Sequence, residues 1–131
     1  DDTLTLAAGF LCAGARSVVC TLWSVNDLST ALFCSFYYQN IRQNLTRSEA
    51  LQKAQVQLRT LTGKQLKEQY KAELDNYLSK QQTEDNRDKI TEHRDRLLSL
   101  CQKDFPFSSP YYWAGFVSQG LSSNHKLIFT S

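Results

Sequence analysis

The sequence predicts an α/β fold, a mainly parallel sheet flanked by helices, with a helical hairpin inserted into it. Three observations lead there. An apolar stretch at helical spacing is closed by a glycine, Gly14. A continuous β-branched run over residues 18–23 follows directly, and an apolar run without alternation marks a strand covered on both faces. Composition then changes at Gly63, and residues 64–104 are dense in charge of both signs around a narrow apolar stripe.

The elements follow in order. Leu4, Leu6, Ala7, Phe10, Leu11 and Ala13 recur at helical spacing, and Gly14 suits the left-handed turn that ends a helix. Helix, glycine and buried strand make half of an α/β unit. Asn26 or Asp27 caps the next helix, whose Leu28, Ala31, Leu32, Phe36, Tyr37 and Ile41 form a broad apolar face and which Asn44 closes. Thr46-Arg47-Ser48-Glu49 spells a capping box, and the helix behind it carries Ala50, Leu51, Ala54, Leu58 and Leu61.

Within the charged region, Leu66, Tyr70, Leu74, Tyr77 and Leu78 form one stripe, "QQTEDN" interrupts it, and Ile90, Leu97 and Cys101 resume it. That pattern predicts two amphipathic helices packed through one seam. Its charges read as a solvated face. The sharper alternative is a partner-binding arm, because a hairpin with so little apolar surface stabilises itself only weakly. Two prolines then give "FPFSSP" a turn-rich entry, and residues 113–117 are aromatic and β-branched enough for a second strand, ended by Gly120. The tail, 122–131, adds a short third strand or trails off.

Length and charge exclude several classes. With 131 residues and a net charge of +2, the chain holds one domain with a core and lacks a nucleic-acid footprint. No apolar run approaches the roughly 18–20 residues that cross a bilayer. The start, "DDTLTLAAGF", is acidic where a signal peptide is basic. Expected partners therefore include no nucleic acid and no membrane, and the expected compartment is the cytoplasm. Cys12, Cys20, Cys34 and Cys101 have no zinc-type spacing; they read as reduced thiols, three of them inside apolar patterns. Asn44-Leu45-Thr46 fits a glycosylation acceptor only in a secretory context that the sequence does not suggest.

Catalytic chemistry is missing. His93 lies in the charged hairpin and reads as a solvated surface residue, His125 as a loop residue in the tail. Cys20 sits mid-strand, where its side chain points into packing, and neither histidine stands at a strand end to serve it. A phosphate loop, an HExxH helix and a carboxylate cluster with ligand spacing are all absent from the sequence. The expectation is therefore no catalytic residue, no metal ligand and no cofactor in this chain.

Several segments nevertheless carry a resemblance. They are Ala13-Gly14-Ala15, Leu22-Trp23 with Val25 and Asp27, Phe36-Tyr37, Ala50-Leu51 with Ala54-Gln55, and residues 110–116 with Gly120. In this order they resemble the C-terminal half of a CHAT domain, a caspase-like cysteine peptidase module often joined to tetratricopeptide repeats. Separases share a similar LWxVxD segment. The resemblance covers residues 3–61 and 106–120. It implies a partial, small-subunit-like domain over 1–61 and 106–121, with 62–105 as an inserted charged hairpin and 122–131 as a tail.

In that family the catalytic histidine and cysteine precede this region, so none is carried over. The absence of methionine agrees with a chain cut after the cysteine strand, and such a piece is expected to be marginal without its other half. The resemblance implies that Trp23, Ser24 and Val25 line a groove in which a peptide substrate adds as an extra strand. Trp23 is there an apolar wall, or else a cap on the core. Asp27 selects a basic side chain, caps the following helix, or does both. The implied partners are a protein or peptide substrate, the missing N-terminal half and tetratricopeptide repeats. The leading function is the substrate-groove half of a CHAT-type cysteine endopeptidase. The alternatives are a catalytically inactive scaffold and an interaction module acting through the hairpin.

Overall fold

The computed structural model describes Gly9 and residues 23–114. In chain order these form α1 (Val25–Arg42), α2 (Arg47–Thr60), α3 (Gly63–Leu66), a π-helical turn (Lys67–Lys71), α4 (Ala72–Gln81), α5 (Arg87–Cys101) and the short α6 (Pro110–Trp113). The expected sheet is corrected: among the described residues there is no strand, and helices pack on helices. The strand expected over 18–23 lies outside the described residues except for Trp23, which stands in the non-helical lead into α1. The strand expected over 113–117 begins instead inside a helix, since Trp113 is the last residue of α6. There the local start signal outweighs β propensity. Ser109 accepts from the Tyr111 N–H and Pro110 occupies the first turn, where proline loses nothing.

α1 starts on a capping box that corrects another expectation. Ser24, not Asn26 or Asp27, is the N-cap, and Asp27 is its third-residue partner. The Asp27 N–H donates to Ser24 Oγ at 3.0 Å, and the Ser24 N–H donates to Asp27 Oδ2 at 2.8 Å. Beyond the box α1 is covered on every side, because residues 31–37 are buried without a break. Gly9 approaches it so closely that a Cβ there would collide with the Ala31 carbonyl and Ser35 Oγ. Asn40, buried, ties α1 to α2 by donating to the Ala50 carbonyl at 3.2 Å and to Gln57 Oε1 at 2.9 Å. Asn44 then turns the chain in the left-handed region at φ 68°, a conformation asparagine tolerates.

α2 begins on the Thr46–Glu49 box, with both reciprocal bonds made. A third box, Thr62 with Gln65, opens α3. Composition therefore changes where a helix starts, and Gly63 is its first residue. The continuous rod of α3, the π turn and α4 folds back on α5 through a short loop. Thr83 donates to Asn86 Oδ1 at 2.6 Å in that loop, and Arg94 reaches Ser79 Oγ at 2.7 Å across it. At the other end the Gly63 N–H donates to the carbonyls of Lys103 and Asp104, at 3.1 and 3.2 Å. The two helices are thus antiparallel and pinned at both ends.

Leu66, Leu74, Leu78, Ile90, Leu97 and Leu100 are buried along the seam, with Tyr70 and Tyr77 half-buried beside them. This stripe is continuous with the core of α1 and α2, with Trp23 and with Phe107. Each buried leucine contributes about 1.5–3 kcal/mol, so the hairpin draws stability from the main core as well as from its own seam. Cys34 is buried on α1 and Cys101 half-buried at the end of α5, both as thiols; Cys12 and Cys20 lie outside the described residues. Among the described residues no helix is long and apolar enough to cross a membrane.

Candidate functional site

The start of α1 brings three parts of the chain together. Trp23 is only 3% exposed and belongs to the core. Its ring meets His93 of α5 edge-on, with centroids 5.5 Å apart and planes at 82°. His93 is half-buried, and its Nδ1 donates to the Lys89 carbonyl at 2.8 Å. That corrects the expectation of a solvated His93. The hairpin histidine packs against the residue that leads into α1, and nothing in the local charge pattern announces a contact between residues so distant in sequence.

Ser24 follows in extended backbone, φ −88° and ψ 171°, and is exposed. Its N–H and its hydroxyl are both engaged by Asp27. Val25 is half-buried against the core, while Asn26 and Asp27 are exposed on the first turn. Asn26 Nδ2 donates to the Tyr111 hydroxyl at 2.7 Å across 85 residues of sequence. The sequence marks Asn26 only as a cap candidate and Tyr111 only as one of a run of aromatics; the bond between them is legible in neither.

α6 is held in turn against α1 and α2. Gln55 Nε2 donates to the Trp113 carbonyl at 3.1 Å, and the Arg59 guanidinium lies 5.4 Å over the Trp113 ring. Trp113 Nε1 donates to the Ser108 carbonyl at 2.9 Å. Buried Phe107 meets Tyr112 edge-on at 5.4 Å. The segment over 107–113 is therefore a clip that braces Tyr111 beside the α1 start.

Among the described residues the site holds no reacting pair of nucleophile and base. Burial pushes the Cys101 thiol up, which is the opposite of an activated nucleophile. Cys20 and His125 lie outside the described residues. Among the described residues no group of three His, Cys, Asp or Glu side chains is placed to hold a metal ion. Of the four residues the resemblance assigns to a groove, Ser24 and Asp27 are exposed, Val25 is half-buried, and Trp23 faces the core.

The two sequence segments that meet here are among those that carry the resemblance. A family model described as the CHAT domain matches residues 1–121. The chain belongs to the CHAT domain family. The match runs through the helical hairpin as well as through the segments on either side of it. No curated protein and no solved structure matches this CHAT domain.

Proposed function

We propose that this CHAT domain chain is the substrate-groove half of a cysteine endopeptidase whose histidine and cysteine lie outside these residues. The observation that carries the reading is the junction of the segments over 23–27 and 110–114 through the Asn26–Tyr111 bond. It gathers the two most distinctive stretches of the family pattern at one helix start. Ser24, Val25 and Asp27 form the exposed and half-exposed edge of that junction, and Trp23 fixes its backbone from within. The Asp27 carboxylate, exposed at the edge, is the group that selects a basic substrate side chain. The chemistry supplied from elsewhere is acyl transfer through a thiolate. This half contributes orientation of the peptide. The thiols of Cys34 and Cys101 fit a reducing, cytoplasmic setting.

The test is cleavage by the complete protein of a peptide library varied at the residue before the scissile bond. Asp27→Asn is expected to abolish a preference for Arg or Lys there. Retention of that preference in a folded variant removes Asp27 from the reading. A second reading, an inactive CHAT scaffold, is favoured by one observation: Trp23 is buried and the Ser24 N–H is already bonded, so two of the groove groups are occupied. Cleavage that is blocked by a thiol alkylating agent decides for the endopeptidase, and a complete protein that cleaves no library member decides for the scaffold.

A further inference from the structure

α6 carries three aromatic side chains in a row, and their situations differ. Trp113 is half-buried and has the Arg59 guanidinium over its ring at 5.4 Å. Tyr112 is half-buried and meets Phe107 edge-on. Tyr111 is 73% exposed, well above Val56, Leu98 and Phe105, the other exposed large hydrophobics among the described residues. Leaving a tyrosine ring in water gives up the burial that aromatic side chains normally supply.

This exposure does not come with freedom. The Tyr111 hydroxyl bonds Asn26 Nδ2 at 2.7 Å, and the ring makes a T-shaped pair with Tyr112, centroids 5.2 Å apart and planes at 80°. A T-shaped pair covers at most one face of a ring, so the other face of Tyr111 stays open. Bonded at its tip and packed along its side, the ring is oriented before any ligand arrives. A side chain fixed in advance loses little further freedom on binding.

The neighbour of the ring decides what it takes. Asn26, which holds the hydroxyl, is followed at once by Asp27, the exposed carboxylate of the α1 start. A carboxylate attracts positive charge, whether an ammonium or a guanidinium carries it. An aromatic face separates the two. A guanidinium is planar and weakly hydrated, so it stacks on a ring, whereas an ammonium is a compact and strongly hydrated point charge. The same short helix already shows that pairing, in Arg59 over Trp113. We infer that Tyr111 is a specificity-determining residue of the groove: its open ring face takes the guanidinium of the substrate side chain whose charge Asp27 receives, and so favours arginine over lysine. The inference rests on the peptidase reading and names which basic side chain that site prefers.

Its test uses the complete protein and three peptides built on the best-cleaved library member, identical except for arginine, lysine or citrulline before the scissile bond. Citrulline keeps the planar group and lacks the charge. In the parent, kcat/KM is expected to favour arginine over lysine by about fivefold, and both over citrulline. Tyr111→Leu is expected to remove most of the arginine-over-lysine preference while lysine stays ahead of citrulline. Tyr111→Phe loses the bond to Asn26 but keeps the ring, and is expected to retain the preference. Tyr111 lies outside the core, so a changed ratio at an unchanged melting temperature is not an effect of unfolding. Three results overturn the inference and leave the peptidase reading in place: a parent that cleaves lysine as fast as arginine, an unchanged ratio in the folded Tyr111→Leu variant, or an equal loss in Tyr111→Phe, which assigns the effect to the Asn26 bond instead of the ring. A library with no cleaved member overturns the reading and the inference together.

Discussion

Gly63→Ala is the substitution whose outcome separates tight closure of the hairpin base from an ordinary helix start. A Cβ built at Gly63 would run into the carbonyl oxygens of Lys103 and Cys101, and would stand 2.8 Å from the Cys101 carbonyl carbon. These are backbone atoms of the α5 end, so no side chain can swing aside. Relief requires the two strands of chain to part, which stretches the bonds from the Gly63 N–H to the Lys103 and Asp104 carbonyls. Overpacking of this kind costs about 1–3 kcal/mol, and weakening two backbone hydrogen bonds adds about 1 kcal/mol. Against this, alanine is favoured over glycine inside a helix by up to about 1 kcal/mol. The net expectation is a loss of about 1–3 kcal/mol, read by urea denaturation with the slope unchanged. Its thermal counterpart is a melting temperature lower by roughly 3–12 °C. The opposite sign refutes the reasoning: a variant as stable as the parent, or more so, means that nothing crowds Gly63.

Four further outcomes are expected. Tyr77 has its pKa pushed up to about 12 by burial and by the hydrogen bond it donates to Glu73, so its phenolate absorbance should appear well above the titration of ordinary tyrosines. Because that folded value exceeds the unfolded 10.0, the stability it confers is complete below about pH 10 and lost as pH rises towards 12; Glu73→Gln should lower the midpoint. His93→Ala should remove the edge contact with Trp23 at a cost of about 0.5–1.5 kcal/mol and shift Trp23 emission to the red, while unchanged emission would show the contact to be incidental. Thr46→Ala should cost about 0.5–2 kcal/mol in denaturant unfolding. It should also raise the Glu49 pKa, which the backbone and side-chain bonds of Thr46 hold low, as followed by carboxylate NMR. Leu78→Ala, at a fully buried seam position, should cost about 2–5 kcal/mol, and a loss below 1 kcal/mol would mean that the hairpin seam relaxes to fill the space.

Helices were legible where local signals agreed with one another. The Thr46–Glu49 box, the leucine stripe of the hairpin and the break at "QQTEDN" each combine a start, a face or a stop in adjacent residues. The strand expectation fails at Trp113 because the aromatic run there carries no period of its own, and the deciding residues, Ser109 and Pro110, stand before it. The same blindness affected Ser24: Ser24-Val25-Asn26-Asp27 has the spacing of a capping box, yet attention to the acid hides the hydroxyl three residues earlier. The π turn had no signal at all, since Lys67–Lys71 keeps the charge density of its neighbours. At the α1 start, the sequence marks only Asn26 and Asp27, as a polar pair that ends an apolar run. Trp23–His93 and Asn26–Tyr111 depend on how α5 and α6 return to α1, and such long-range returns are set by packing, which leaves no trace in a window of ten residues.

Asp27 is where these levels meet. Its Oδ2 is committed to the Ser24 N–H, and its own N–H to Ser24 Oγ, so the carboxylate already has a structural task. A charge that also selects a substrate must act through the other oxygen, from a fixed position, because the box holds χ1 in place. Rigidity of this kind favours selection: a carboxylate held by the backbone loses little further freedom when a cation arrives. The two roles then separate by charge. Asp27→Asn keeps an oxygen that can accept from Ser24, and removes the negative charge, so stability should fall by no more than about 1 kcal/mol while any attraction for Arg or Lys disappears. Ser24→Ala does the reverse, removing the acceptor of the Asp27 N–H while the charge stays, still held by the backbone N–H of residue 24. If both substitutions reduce stability equally and neither alters the cleavage preference of the complete protein, Asp27 serves the capping box of Ser24 and does not select the substrate.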